Sequence, residues 1–426
     1  MRGTRRFLLA LVCGVLMINS CGCASSKKAS SGNGGEDEIK TQTVTVEDKD
    51  YYTRFKGQNK SINVYNWGEY VADGSSEGML DTNKEFEELT GIKINYTNFA
   101  TNEELYAKLK GGAASYDVIF SSDYMISRLI KEGLLHKVDM KNIPNSKYIM
   151  DSFKGLDYDP GDEYSVAYTW GTVGIIYNKD LVGIEEEDID WDILWNEDYK
   201  DQILMFDNPR DAFAIAELIL GYSINTEDPD ELRAAAAKLT EQKPLVQGYV
   251  MDEIFDKMGG GEALLAPYYA GDALMIMDDN EDLTFAVPKS GTNLFVDAMC
   301  IPSSSREPEL AEMYINFMCE PDVAYANIDY IKYSTPHSAA YEMLDDEVKN
   351  SKISYPDDKF IKEKTTVFTN LTPEAAKQMQ DLWTEMKSAE DKNSNRWFVP
   401  LFLISCFIII IVVLIRRHIK SKRDIF

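Results

Sequence analysis

In INVYNWGEYV, residues 62 to 71, Ile62, Val64 and Tyr65 suit a buried strand, and the run then ends in Asn66, Trp67, Gly68, Glu69 and Tyr70. An indole, a carboxylate and a phenol at one strand end suit recognition better than bond cleavage. Ring faces attract cations and ring area buries methylene groups. A second cluster, SSDY at Ser121 to Tyr124, follows the apolar run YDVIF. Of the motifs for bond-making chemistry, His-Glu-x-x-His, Cys-x-x-Cys and the Rossmann glycine fingerprint are absent. KMGGGEA lacks the Lys and Ser/Thr of a phosphate loop and reads as a turn. The chain is not expected to be an enzyme or to carry a cofactor.

The elements that must position these clusters alternate. SINVYNW is followed by a helix near Met79 to Thr90 that Gly91 closes, then by the strand IKINYTNF. Thr101 to Glu104 is a capping box that opens a helix ended by Gly111 and Gly112, before the strand YDVIF. A βαβαβ order implies a mostly parallel sheet with helices on its faces, and ligands in such sheets bind beyond the carboxyl ends of the strands. Both polar clusters lie at such ends.

The ends of the chain set its surroundings. Arg2, Arg5 and Arg6 precede an apolar run from Phe7 to Met17 and then INSCGC, the order of a secretory signal. Ile18, Asn19 and Ser20 before Cys21 resemble a bacterial lipobox, which makes Cys21 the expected lipidation site. Residues 24 to 60 are poor in aliphatic clusters and read as a flexible linker. Trp397 to Ile415 is a 19-residue stretch without a charge. At 1.5 Å per residue it would span about 28 Å, so a transmembrane helix is expected. The basic tail, 416 to 426, would then be cytoplasmic and the body outside the cell or in the periplasm.

The whole chain carries a net charge of −27; residues 1 to 23 carry +3 and residues 416 to 426 carry +4, which leaves −27 − 7 = −34 for the body. Such a field repels nucleic acid and attracts cations. Cys300 and Cys319, the body's two cysteines, sit in apolar runs and read as buried free thiols rather than a disulfide.

Several motifs occur in one order along 61 to 345: YNWGEYV, NEELYAKLKGG, ASYDVIFSSDYM, YSVAYTWGTVGIIYNKD, LGYSINTEDP, APYYAGDA, VPKSGTNLFVDAMCIP and YSTP. In these the chain resembles the bacterial periplasmic spermidine/putrescine-binding proteins, substrate-capturing subunits of polyamine importers of the ABC class. The resemblance implies an α/β, two-lobed periplasmic-binding-protein-like fold of type II, with the ligand cleft between lobes joined by crossover strands. It divides the body into a first lobe at 61 to 170, a second at 171 to 296, and a return to the first lobe with C-terminal helices at 297 to 390. A polyamine as ligand, and a permease and an ATPase as partners, are implied with it.

The site residues follow from the same resemblance. Trp67 and Tyr70 match the family's aromatic wall, Ser122 and Tyr124 its pair at the following strand end, and Tyr269 a further ring. Asp272 and Asp297 match acids that hold amino groups, and Asp211 matches an acid near the other end of the slot. Asn208 stands where spermidine-selective members have Asp, so that end has one charge fewer. Tyr249, with Asp252 nearby, is expected to supply another wall. Two other readings stay open: a membrane-anchored amine sensor, and a protein of the same fold that binds ferric iron through Tyr268 and Tyr269, with only His136 and His337 as body histidines, or binds another cationic small molecule.

Overall fold

A computed structural model of the chain describes residues 43 to 389, apart from Glu77 and residues 113 to 114. The alternation expected from sequence is realised in β1 (Ser61–Trp67), the helix Thr82–Thr90, β2 (Lys93–Phe99), the helix Asn102–Gly111 and β3 (Val118–Ser122). The first of these helices begins three residues later than expected, because Asp81 caps it by accepting from the Lys84 N–H. Gly91 ends it in the left-handed region, where a residue without Cβ is unstrained. At the next helix Thr101 Oγ1 accepts from the Glu104 N–H at 3.1 Å, and Glu104 Oε2 reaches back to the Ala100 N–H at 3.1 Å. The capping box therefore forms, with its return bond one residue earlier than the simplest pattern.

The remaining strands are β4 (Ser165–Asn178), β5 (Ile203–Phe206), β6 (Val246–Val250), β7 (Leu265–Tyr269), β8 (Leu283–Ala286), β9 (Thr292–Cys300) and β10 (Thr365–Val367). Along the hydrogen-bonded path the order is β2-β1-β3-β9-β4-β7-β5-β6, with β10 on β9 and β8 on β4. One lobe is built on β2, β1, β3 and β9, the other on β7, β5 and β6, and β4 serves both. Its residues Ser165 to Thr172 pair with β9, whereas Val173 to Asn178 pair with β7 and β8. The strand is buried from Ser165 to Tyr177, which accounts for its nearly continuous apolar and aromatic composition.

This topology aims the carboxyl ends of β1 and β3 from one lobe, and of β5, β6 and β7 from the other, at one cleft. Ligands of open α/β sheets bind beyond such strand ends, and here both lobes present them to one cleft. Among the described residues no helix is long and apolar enough to cross a membrane. The stretch 397 to 415, Cys21 and the basic tail lie outside those residues.

The expected linker at 24 to 60 ends sooner than its composition suggested. Lys49–Thr53 is a helix capped by Asp48, and Tyr52 is fully buried, its hydroxyl donating to Glu320 Oε1 at 2.8 Å and accepting from Asn316 Nδ2 at 2.6 Å. Count of aliphatic residues missed this because Tyr51, Tyr52 and Phe55 supply the apolar area. Cys300 and Cys319 are free and buried.

Candidate functional site

At the end of β1 the chain turns sharply. Asn66 is fully buried; its Oδ1 accepts from the Trp67 N–H at 2.8 Å and its amide donates to Tyr96 Oη at 2.9 Å. Glu69 then adopts a positive φ of 44°, which throws its carboxylate outward to accept from the Tyr330 hydroxyl. The same turn sends Tyr70 inward. Its hydroxyl lies 2.6 Å from Asp297 Oδ2 and 2.6 Å from Thr169 Oγ1. Trp67 leans on Phe99 with ring centroids 4.3 Å apart, and its indole N–H is buried without a partner. Gly68 between them has no room for a side chain: a Cβ there would stand 2.3 Å from Asp252 Oδ2 of the opposite lobe.

The facing wall comes from β5, β7 and their following helices. Asn208 caps the helix Pro209–Leu220 by accepting from the Arg210 N–H, and its amide donates to Asp211 Oδ2 at 2.6 Å. Tyr269, at the end of β7, donates to the same oxygen at 2.8 Å. The helix Ala270–Asp279 starts immediately after, which places Asp272 in its first turn. Asp272 makes no capping bond; its Oδ2 accepts from the Tyr333 hydroxyl at 2.9 Å instead. Gly271 is what allows this, since a Cβ there would lie 2.0 Å from the Tyr333 ring.

These groups enclose a cleft of about 630 Å³, part of it open to solvent, lined by Trp67, Tyr70, Ser122, Tyr124, Asn208, Asp211, Tyr269, Asp272 and Asp297. Burial in it raises the acids. Desolvation pushes Asp272 up to about 8 against the opposing hydrogen bond from Tyr333, and Asp211 up to about 7 against that from Tyr269. Asp297 is raised for the same reason, against the Tyr70 hydroxyl first and the Ser122 side chain second. Its second oxygen, Oδ1, is buried and has no partner. Three carboxyl groups held away from water with spare acceptor capacity are costly alone, and a cation among them would relieve that cost. The walls between the acids are rings: Tyr269 and Phe295 meet edge to face at 5.5 Å, Phe295 and Tyr333 at 6.1 Å. The arrangement suits a positively charged ligand with an apolar stem.

The family model of bacterial extracellular solute-binding proteins matches residues 113 to 364. The chain belongs to the bacterial extracellular solute-binding proteins. A relative from Salmonella typhimurium, named a spermidine/putrescine-binding periplasmic protein, is 34% identical over 300 residues, 70% of this chain and 84% of its own. Among solved structures, a putative spermidine/putrescine ABC transporter from Listeria monocytogenes is 34% identical with a TM-score of 0.73, covering 78% of this chain and 99% of that one. A lipoprotein of Treponema pallidum is 28% identical with a TM-score of 0.65, covering 77% and 99%.

In this solute-binding protein one expected wall residue does not line the cleft. Tyr249 stands edge to face with Trp383 at 5.6 Å, and the Lys387 ammonium sits 4.3 Å from its ring centre. Near the end of β6 it is Met251 and Asp252, two and three residues on, that reach the cleft. The helix Pro373–Ser388, which carries Trp383 and Lys387, has taken the face of β6 that Tyr249 occupies.

Sequence reasoning missed Asn102, Asn293, Phe295, Tyr333 and Phe368, which also line the cleft, and named Tyr268 only for the iron reading. Asn102 had a signal, since it directly follows the capping Thr101 at a strand end; its amide donates to Ser122 Oγ at 3.1 Å. For the iron reading, neither His136 nor His337 lines the cleft. His337 caps the helix Ser338–Met343 and lies 3.0 Å from the Cys319 carbonyl. Among the described residues no group of three or more His, Cys, Asp or Glu is placed to hold a metal.

Proposed function

We propose that this protein is the substrate-capturing subunit of an ABC importer for polyamines of the spermidine/putrescine class, handing its ligand to a permease driven by an ATPase. The observation that carries the reading is the set of raised, buried acids Asp211, Asp272 and Asp297 facing one another across an aromatic slot, with Asp297 Oδ1 unpartnered. A polyamine alternates ammonium groups with methylene runs, so it answers both halves of the slot. Carboxylates take the nitrogens and ring faces take the carbons. Relatives named for spermidine and putrescine support the same ligand class. The ring positions are Trp67, Tyr70, Tyr124 and Tyr269, the acid positions Asp211, Asp272 and Asp297, and Ser122 and Asn208 add a hydroxyl and an amide.

The body faces outward, in keeping with a relative named periplasmic, and is tethered through a lipidated Cys21, the stretch at 397 to 415, or both. The lipoprotein relative supports the first anchor. Isothermal titration of the purified full chain with putrescine, cadaverine, spermidine and spermine tests the function. Saturable binding of at least one of them is expected. Absence of binding by all four, from protein that melts cooperatively, would reject it.

A further inference from the structure

Arg210 stands next to the ligand acid Asp211 yet does not line the cleft. It is 3% exposed, in the first turn of the helix Pro209–Leu220. Its Nη1 donates to the Ile224 carbonyl at 2.9 Å, and its Nη2 to Asn225 Oδ1 at 2.7 Å and to the Thr369 carbonyl at 3.2 Å. The guanidinium carbon lies 4.2 Å from the Phe368 ring centre and 5.8 Å from that of Tyr124. Asn225 adds two bonds to the same segment, donating to the Val367 carbonyl at 2.9 Å and accepting from the Thr369 N–H at 2.8 Å.

That segment has a particular place in the fold. It leaves β10, which pairs with β9, and enters the helix Pro373–Ser388, which packs on the second lobe's helices Pro209–Leu220 and Pro229–Gln242. Residues 367 to 369 therefore cross between the lobes beside the cleft, and Phe368 forms part of its wall, edge to face with Tyr124 at 5.8 Å. Pairing of β10 with β9 ends at Val367 and Leu294. Over residues 367 to 369 the bonds from Arg210 and Asn225 set the backbone, and just before the helix the Thr372 N–H donates to Glu227 Oε1 at 2.6 Å.

We propose that Arg210 is a positioning residue: its fork fixes the crossing segment 367 to 369 against the second lobe and thereby holds the Phe368–Tyr124 ring pair as a wall of the ligand cleft. Lysine could supply the charge but not three planar donors, so the geometry rather than the charge is the function of this side chain. The proposal rests on the polyamine reading for its ligand, though not for the clamp itself.

The test uses the full chain in two arms. In the first, polyamine affinity is measured for Arg210→Gln, Arg210→Lys, Asn225→Ala, Phe368→Ala and the double variant Arg210→Gln/Phe368→Ala. Arg210→Gln and Arg210→Lys are both expected to lose about tenfold or more, the scale of hydrogen bonds to a charged group. Asn225→Ala keeps the guanidinium but removes one of its acceptors together with the two side-chain bonds to the segment, and is expected to lose affinity in the same direction. The double variant should bind within about twofold of the weaker single one, since the clamp acts through the ring it holds. In the second arm, hydrogen exchange of the unliganded proteins should show faster exchange of the Thr369 amide in Arg210→Gln and Asn225→Ala. Full recovery by Arg210→Lys, additive losses, or unchanged exchange at Thr369 would overturn the clamp. Failure of the wild-type chain to bind any polyamine would reject the ligand reading alone, leaving exchange at Thr369 to decide the clamp.

Discussion

The Tyr70 hydroxyl donates to Asp297 Oδ2 at 2.6 Å while the other oxygen of that carboxylate stays buried with no partner. The tyrosine orients the acid without satisfying it. Asp297→Asn keeps the shape and removes the charge, so an ammonium bound there would lose its counter-ion. Affinity for the preferred polyamine should fall by about 2 to 5 kcal/mol, the range for truncating one partner of a buried charged pair. Melting of the unliganded variant should match or exceed wild type, because the lone carboxylate is a cost in the empty cleft. Titration calorimetry and thermal melting check the two halves.

Asp272 gives a pH signature. Burial raises its pKa to about 8, and that of Asp211 to about 7, both above the ordinary carboxylate range near 4. The unliganded fold thus holds more protons than the unfolded chain between these limits, and these acids' contribution to stability declines as pH rises from about 4 to 8. A bound ammonium favours the ionised acids, so binding releases protons and tightens over the same interval. The ligand-induced rise in melting temperature should be larger at pH 8 than at pH 6. An equal or smaller rise at pH 8 would show that these acids do not hold the amine.

Gly271→Ala should damage the site through Tyr333. The added Cβ would lie 2.0 Å from that ring, so the ring must move and take its hydroxyl from Asp272. Overpacking of this kind costs about 1 to 3 kcal/mol in stability, and polyamine affinity should fall with it. Tyr333→Phe, which removes only the hydroxyl, should weaken binding with a smaller loss in melting temperature.

Anchoring is tested by Cys21→Ala in the producing cells. With a second anchor at 397 to 415 the variant should stay in the membrane fraction, and only removal of both should release it. Release of Cys21→Ala alone would show that the C-terminal stretch is no anchor.

What could be read from sequence followed the locality of the forces. β1 and β3, the Thr101 capping box and the Trp67, Tyr70 and Ser122 strand ends depend on neighbours a few residues away, so their patterns are written in short windows. Asp211, Asp272 and Asp297 came through the motif resemblance rather than through local pattern. Tyr333 reaches Asp272 from 61 residues away, just after Lys332 in the left-handed region, and Phe368 arrives on a crossing segment fixed by Arg210. Nothing within a turn of either residue announces those contacts. Tyr249 failed for the same reason: the helix carrying Trp383, distant in sequence, claimed its ring.

The most direct measurement is a crystal structure of the protein grown with its tightest-binding polyamine. The account predicts an ammonium nitrogen within about 2.7 to 2.9 Å of Asp297 Oδ1, another nitrogen at Asp272 or Asp211, and the methylene chain lying against Trp67 and Tyr269. A polyamine bound elsewhere, or one lying in the cleft with no nitrogen in contact with any of these three acids, would contradict it.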